Sequence, residues 1–290
     1  MYKNVLLFGA RGHLSRTKLI PALNSKTIKY IPLSRQNIKN LDLYANEQNI
    51  AFMSIPTKHF FDCIEPYEDF IIQNKPLIVI EKPHGTSEYE FYELYNYFNN
   101  NNLKVVYNDH YLAKHSVLNL DKMNLPQFNK LRSIDFTLHE SSCVNDRIAY
   151  FDEVGILLDM YQSHVLIVLS TLLAKIENVS RLDVLKHIAK CIPFNKKFSK
   201  YDSYKGEAFT KCDLTFIYKG IAINVSCGKK LTDEKSMCLH TNDGGYLCID
   251  LSNSLGNPYT EIFTWLMEDA QNKFLSNEEI ACLWKHINLF

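Results

Sequence analysis

Five short apolar runs separated by amphipathic stretches fill the first 108 residues: NVLLF at 4–8, IKYIPL at 28–33, IAFMSI at 50–55, PLIVIE at 76–81 and LKVVYN at 103–108. Apolar runs of this length with no polar alternation predict strands buried on both faces. The stretches between them carry helical periodicity, from His13 to about Asn24, at 38–47, from Thr57 to about Gln73, and from Ser87 to Phe98. Strand and helix in repeated alternation close as a parallel sheet covered on both sides. After Asn108 the rhythm changes. Helical patterns at 110–120, 153–174 and 181–189, with a strand at 131–139 among them, precede strands near 212–218, 221–227, 236–240 and 246–251 and closing helices at 258–272 and 277–287. Strands and helices are segregated there, as in an α+β domain with an antiparallel sheet.

The chain has 290 residues, enough for two domains, with 32 basic and 32 acidic side chains. A zero net charge offers no overall field to nucleic acid or to an acidic membrane, so any anion must be met by a local cluster. The apolar run at the N-terminus is too short for a signal peptide or a membrane span, which predicts a cytoplasmic protein. Eight cysteines are scattered with no CxxC pair and no Cys/His spacing, so free thiols are expected rather than a zinc site or a disulfide framework.

The chemistry starts in the turn after the first strand, Gly9, Ala10, Arg11, Gly12, His13 and Leu14. Two glycines there let backbone N–H groups approach a pyrophosphate at the start of the next helix; the alternative is a plain loop. On the dinucleotide reading, residues 1–108 form a Rossmann-type α/β domain and residues 109–290 a smaller α+β domain. The second strand ends at Arg35 with no acidic residue for a ribose 2′-hydroxyl, which favours NADP unless Arg35 is only a solvated surface charge. Lys82, in EKPHG, projects a cation from the fourth strand end. In NDHYLAK, an Asp109 cap would place His110 and Lys114 on one helical face beside Tyr111, where a phosphate fits. Glu140 ends the apolar face of SIDFTLHE, where a lone carboxylate is costly and needs a partner or a ligand hydroxyl. Asp159, Gln162, Ser163 and His164 interrupt an apolar helix; the spacing of five between Asp159 and His164 predicts different stripes.

These strings resemble the glucose-6-phosphate dehydrogenase family. The family's G-A-S-G-D-L is similar to GARGHL, its E-K-P-F-G to EKPHG and its I-D-H-Y-L-G-K to NDHYLAK. Its Y-Y-D-E-x-G and D-x-x-Q-N-H are similar to YFDEVGILLDMYQSH, and its S-G-K-x-L to SCGKKL. The resemblance implies a Rossmann domain followed by an α+β domain, and oxidation of the C1 hydroxyl of a sugar phosphate by NADP, as in the pentose phosphate pathway of glucose metabolism. It implies His164 as general base with Asp109 orienting it, and His110, Tyr111 and Lys114 on the phosphate. It further implies Lys82 between substrate and cofactor, Glu140 and Asp159 on ring hydroxyls, and Lys229 and Lys235 reaching in from the antiparallel sheet, with no metal. The chain departs from the family pattern at Arg11 (Ser in the family), His13 (Asp) and Ser163 (Asn), and only sixteen residues separate Arg35 from Phe52. The stretch from Lys235 to Pro258 is also short for the family's broad sheet, which leaves a homodimer open. The alternatives are a dehydrogenase for another sugar phosphate or a nucleotide-linked sugar, and a binding protein without turnover. An oxidoreductase of the GFO/IDH/MocA type shares the EKP strand end but lacks DHYLxK.

Overall fold

The computed structural model describes residues 2–34, 40–252 and 256–290, so Arg35 and the first part of the stretch at 38–47 lie outside the described residues. Cα packing divides the chain into two units, Met1–Ala113 with Gly256–Ile280, and Lys114–Leu255 with Ala281–Phe290.

The first unit is built on a parallel sheet of β1 (Asn4–Phe8), β2 (Tyr30–Leu33), β3 (Asn49–Met53), β4 (Leu77–Glu81) and β5 (Val105–Asn108), in the order β2-β1-β3-β4-β5. Every residue of β1, β3 and β4 is buried, as a sheet covered on both faces requires. The strand order reverses between β1 and β3, and ligands of open α/β sheets bind beyond the carboxyl ends of strands at such a reversal. The helix expected from Thr57 is broken into Phe60–Ile64 and Glu68–Asn74 around a tight turn at Glu65–Tyr67. Pro66, with no N–H to donate, interrupts the ladder there. At 38–47 the described residues form only a short turn, Asp42–Tyr44. The helix Pro258–Met267 returns to this unit and packs on Ile20–Ser25, with the Phe263 ring 5.4 Å from that of Phe52.

The second unit carries six strands: β6 (Leu131–Glu140), β7 (Asn195–Ser199), β8 (Lys211–Tyr218), β9 (Ile221–Lys229), β10 (Glu234–Thr241) and β11 (Tyr246–Asp250). Their order is β11-β10-β6-β9-β8-β7, and β6 and β9 run parallel while the other neighbours are antiparallel. The sheet is therefore mixed rather than antiparallel and, with six strands against five, it is not the smaller one. The long helical connection after β6 supplies the crossover that a parallel pair needs. The strand β7, NKKFS, was not foreseen; an exposed, lysine-rich edge has no apolar pattern to read.

The helix expected at 153–174 runs as three segments: Ile148–Ile156, a wide π-helical segment Leu157–Val165, and Leu166–Glu177. Gly155, at φ 59° and ψ 179°, makes the break between the first two, a conformation that only glycine adopts without strain. The run Ile148–Glu177 is long and apolar enough to cross a membrane, but 89% of its most apolar 18-residue stretch is buried inside the molecule, as in a core helix. The expectation of free thiols fails at one place: Cys238 and Cys248 face each other across β10 and β11 and form a disulfide. The pairing is invisible in the sequence because cross-strand register, not residue spacing, brings the two together. Cys63, Cys143, Cys191, Cys212, Cys227 and Cys282 are not in disulfides.

Candidate functional site

Parallel strands deliver their carboxyl ends to one edge of the first sheet, and the residues that follow four of them are Gly9, Ser34, Lys82 and Asp109. Gly9 has φ 73°, and a Cβ there would collide with the Ser54 carbonyl oxygen; the turn needs glycine on both counts. Gly12 N–H closes the turn on Gly9 O at 2.8 Å, and Ala10 N–H reaches Leu33 O. Arg11, Gly12 and His13 are exposed on this turn, which leads through Leu14 into the helical segment Ser15–Leu19. Beside it, Phe8, Gly9, Leu33, Ser34, Cys63, Pro66 and Tyr67 line a small, mainly apolar recess. The buried Ser34 hydroxyl has no hydrogen-bond partner among the described residues, which leaves a donor and acceptor for a ligand. Glycine turn, helix start and recess fit a dinucleotide.

At the ends of β4 and β5 the electrostatics are unusual. Asp109 is buried, and its Oδ1 accepts the Tyr111 N–H at 2.8 Å. Burial pushes its carboxyl up, while His110, the Tyr111 N–H, His84 and Lys82 pull it down. Glu81, buried behind it, accepts from Asn108 Nδ2 at 2.8 Å and is pushed by burial up to about 7. His84 Nε2 bonds Asn108 O at 3.0 Å, and burial lowers that imidazole to about 4. The His110 ring stacks on Tyr259, with centroids 5.8 Å apart. The chain from Asp109 to Ala113 is turned rather than helical, and a helix forms only at His115–Leu118. The Asp109 side chain satisfies Tyr111 N–H locally, and such turns compete with helix. His110 and Lys114 therefore do not share a helical face.

Within the second unit, Lys229 Nζ lies 2.8 Å from Glu140 Oε2 and 2.8 Å from Asp159 Oδ2. Lys229 and Asp159 are buried and Glu140 is part-exposed, so one buried cation bridges two carboxylates at the edge of the interior. Burial pushes the Glu140 carboxyl up and Asp159 adds to it, but Lys229, helped by His164, outweighs both and holds it below the ordinary carboxylate range. The partner expected for Glu140 is thus Lys229. The strand β9 delivers Lys229, pairing it with Glu140 in parallel register. Asp159 and His164, both buried, come from the π-helical segment. Bonds there run from residue i to i+5, as from Leu166 N–H to Tyr161 O, so positions five apart fall on adjoining turns. The stripe argument, which assumes 3.6 residues per turn, therefore does not hold for this pair.

Lys114, also buried, donates from Nζ to Leu251 O at 2.6 Å. Lys235 is not drawn into the Glu140 cluster; its ammonium pairs with Asp233 at 3.6 Å. Ser163 Oγ donates to Asp159 O at 2.8 Å. One residue absent from the expected site stands out: Gln162 is buried and its Nε2 has no hydrogen-bond partner. The polar break in an apolar run pointed to it. Glu81 and His84 were also missed, because nothing in a strand end tells how deeply it is buried.

Comparison with known proteins gives a consistent picture. The glucose-6-phosphate dehydrogenase C-terminal domain matches residues 123–200. The glucose-6-phosphate 1-dehydrogenase of Leuconostoc mesenteroides is 35% identical over 131 residues, 41% of this chain and 26% of that enzyme. The aligned part thus spans about a quarter of that relative's length. The crystal structure of glucose-6-phosphate 1-dehydrogenase from Mycobacterium avium superposes with a TM-score of 0.76 at 14% identity, covering 98% of this chain and 90% of that one. A glucose-6-phosphate dehydrogenase in complex with its substrate glucose 6-phosphate gives 0.71 at 16% identity, covering 99% and 90%. At these identities the structural likeness speaks for the fold.

Proposed function

We propose that this chain, which is similar over part of its length to glucose-6-phosphate dehydrogenases, is an oxidoreductase that converts the C1 hydroxyl of glucose 6-phosphate, or of a similar hexose phosphate, to the lactone. The observation that carries this reading is the Glu140–Lys229–Asp159 cluster, in which Lys229 and Asp159 are buried and Glu140 is part-exposed, with His164 acting on Glu140. Ionised carboxylates accept hydrogen bonds from sugar hydroxyls, and the bridging lysine lets both remain charged without water. The glycine turn would hold NADP, which would supply the hydride acceptor for C1.

On this reading His164 takes the hydroxyl proton as the C1–O bond becomes a carbonyl, and Asp109 steadies the resulting imidazolium. Glu140 and Asp159 bind ring hydroxyls, and the unpartnered Gln162 amide donates to a ligand oxygen. Lys114, whose ammonium also donates to Leu251 O, binds the phosphate alongside His110 and Tyr111. Lys82 lies between sugar and coenzyme, and Lys235 is an outer phosphate contact. Arg35 and the turn residues Gly9 to Leu14 hold the coenzyme phosphates. The partners are small molecules, a homodimer is compatible with the chain, and the enzyme works in the cytoplasm.

Purified protein mixed with glucose 6-phosphate and NADP should form reduced coenzyme, followed by its absorbance, and more slowly with NAD. Failure to turn over any member of a hexose phosphate panel would sink the proposal. A second reading, a different sugar phosphate, is favoured by Ser163, whose hydroxyl is spent on the Asp159 carbonyl instead of facing a ligand. A higher kcat/KM for another member of the panel would select it.

A further inference from the structure

The sequence YFDEVG contributes no group to the proposed chemistry, yet it touches a segment that reaches both halves of the second unit's polar cluster. Asp152 Oδ1 accepts three hydrogen bonds, from Tyr204 OH at 2.6 Å, Glu207 N–H at 2.9 Å and Ala208 N–H at 2.9 Å. The backbone at Gly206 lies so close to this carboxylate that a Cβ there would collide with it and with the Tyr204 hydroxyl. Beyond these contacts the segment continues in two directions. Phe209 O accepts the Ile156 N–H at 3.3 Å, directly after the Gly155 break and directly before the π-helical segment that bears Asp159 and His164. Thr210 O accepts the Lys229 N–H at 2.9 Å, and Thr210 itself is fully buried. The other end is held by Thr210 Oγ1, which accepts the Tyr201 N–H at 3.0 Å, and by Tyr201 OH, which accepts the Val144 N–H at 3.1 Å.

We propose that Asp152 is a positioning residue: through residues 204–210 it sets the relation of the π-helical segment carrying His164 and Asp159 to the end of β9 carrying Lys229. The inference rests on the function proposed above and deepens it. Asp152 is exposed and touches none of Glu140, Asp159, Lys229 or His164 through the three bonds described, so its effect runs through backbone. Three donors converging on one carboxylate oxygen fix a segment more tightly than any one of them, since each removes freedom the others would otherwise have to freeze. The glycine break makes this support necessary. A helix interrupted at Gly155 has no continuous ladder to transmit its direction, and the Ile156 N–H at the break is taken up by the segment.

The test is hydrogen exchange and kinetics on the full chain, comparing wild type with Asp152→Ala, Asp152→Asn, Tyr204→Phe and, as a control, Glu207→Gln, whose side chain is exposed. In Asp152→Ala, exchange should rise at 204–210 and also at 156–165 and Lys229, with the rest of the protein unchanged. With the hexose phosphate, kcat should fall roughly 10- to 100-fold while KM moves by less than about threefold, because alignment rather than contact is lost. Asp152→Asn, which keeps an oxygen acceptor, should recover most of kcat, Tyr204→Phe should lose less than the alanine variant, and Glu207→Gln should match wild type. Faster exchange confined to 204–210, or an Asp152→Ala enzyme with wild-type kcat, overturns the inference. If wild type oxidises no hexose phosphate, the parent reading fails, and the exchange pattern still decides whether Asp152 sets the two segments. If the alanine variant does not fold, Tyr204→Phe, which removes one of the three bonds, should show a smaller loss of kcat with faster exchange at the same segments, and no change at 156–165 or Lys229 in that variant overturns the inference.

Discussion

Replacing His164 with asparagine should lower kcat for hexose phosphate oxidation by about 10²- to 10⁴-fold, with a much smaller change in KM. The proton on the C1 hydroxyl must leave as the carbonyl forms, and an amide is too weak a base to accept it. Asparagine keeps hydrogen-bonding capacity in the π-helical segment, so the fold should be retained, which thermal melting checks. The cluster around it makes the effect specific. Glu140 and Asp159 flank a single lysine, Lys229, so an imidazolium formed at His164 during turnover meets a surplus of carboxylate in the cluster. Steady-state kinetics with and without added imidazole would separate loss of the base from loss of shape. A variant that keeps more than about a tenth of wild-type kcat would remove His164 from the role of base.

Lys229→Met should be the most damaging change to stability in the second unit. Methionine fills much of the lysine volume but leaves Glu140 and Asp159 sharing a pocket with no cation, each having lost a contact of 2.8 Å. Removing one partner from a buried ionic cluster costs about 3–5 kcal/mol. The sign with pH is fixed by the direction of the Glu140 shift. In wild type its carboxyl is held below the ordinary range, so the stability it contributes is present above the unfolded-state value and is lost as pH falls through the folded one. In the variant the carboxylates repel, their proton affinity rises, and protonation relieves the strain. The difference from wild type should thus be greatest near neutral pH and shrink on acidification. Denaturant melts at several pH values would show it; a loss under about 1 kcal/mol at neutral pH would mean that water already screens the cluster. A double change, Lys229→Met with Glu140→Gln, should recover part of the loss by removing one of the two charges.

Much of this arrangement was legible in the sequence, and what was not shares a cause. Buried parallel strands write themselves as unbroken apolar runs, so β1, β3 and β4 could be read from residues alone. The polar exceptions Asp159, Gln162 and His164 were visible because they interrupt such a run. Periodicity, however, assumes a repeat. At Gly155 and through Leu157–Val165 the backbone departs from 3.6 residues per turn, and an argument from stripes put Asp159 and His164 on different faces. The turn at Asp109 misled in the same way, since a capping aspartate and a turn-forming aspartate look alike in sequence. Long-range register was out of reach altogether. Neither the parallel pairing of β6 with β9, which sets Lys229 beside Glu140, nor the apposition of Cys238 and Cys248 has a local signal.

The return of residues 256–280 to the first unit bears on how the chain is made. Ribosomal synthesis delivers the five parallel strands well before Pro258–Met267, the helix whose Phe263 covers Phe52. During that interval, lasting on the order of ten to thirty seconds at typical bacterial rates of elongation, the nascent sheet holds an apolar patch that its own sequence cannot yet cover. The entire second unit except its last residues emerges in the meantime, uninterrupted, and can fold first. The first unit is therefore begun early and completed only after nearly all of the second has been made, and its unfinished face is the one a chaperone would meet at the ribosome.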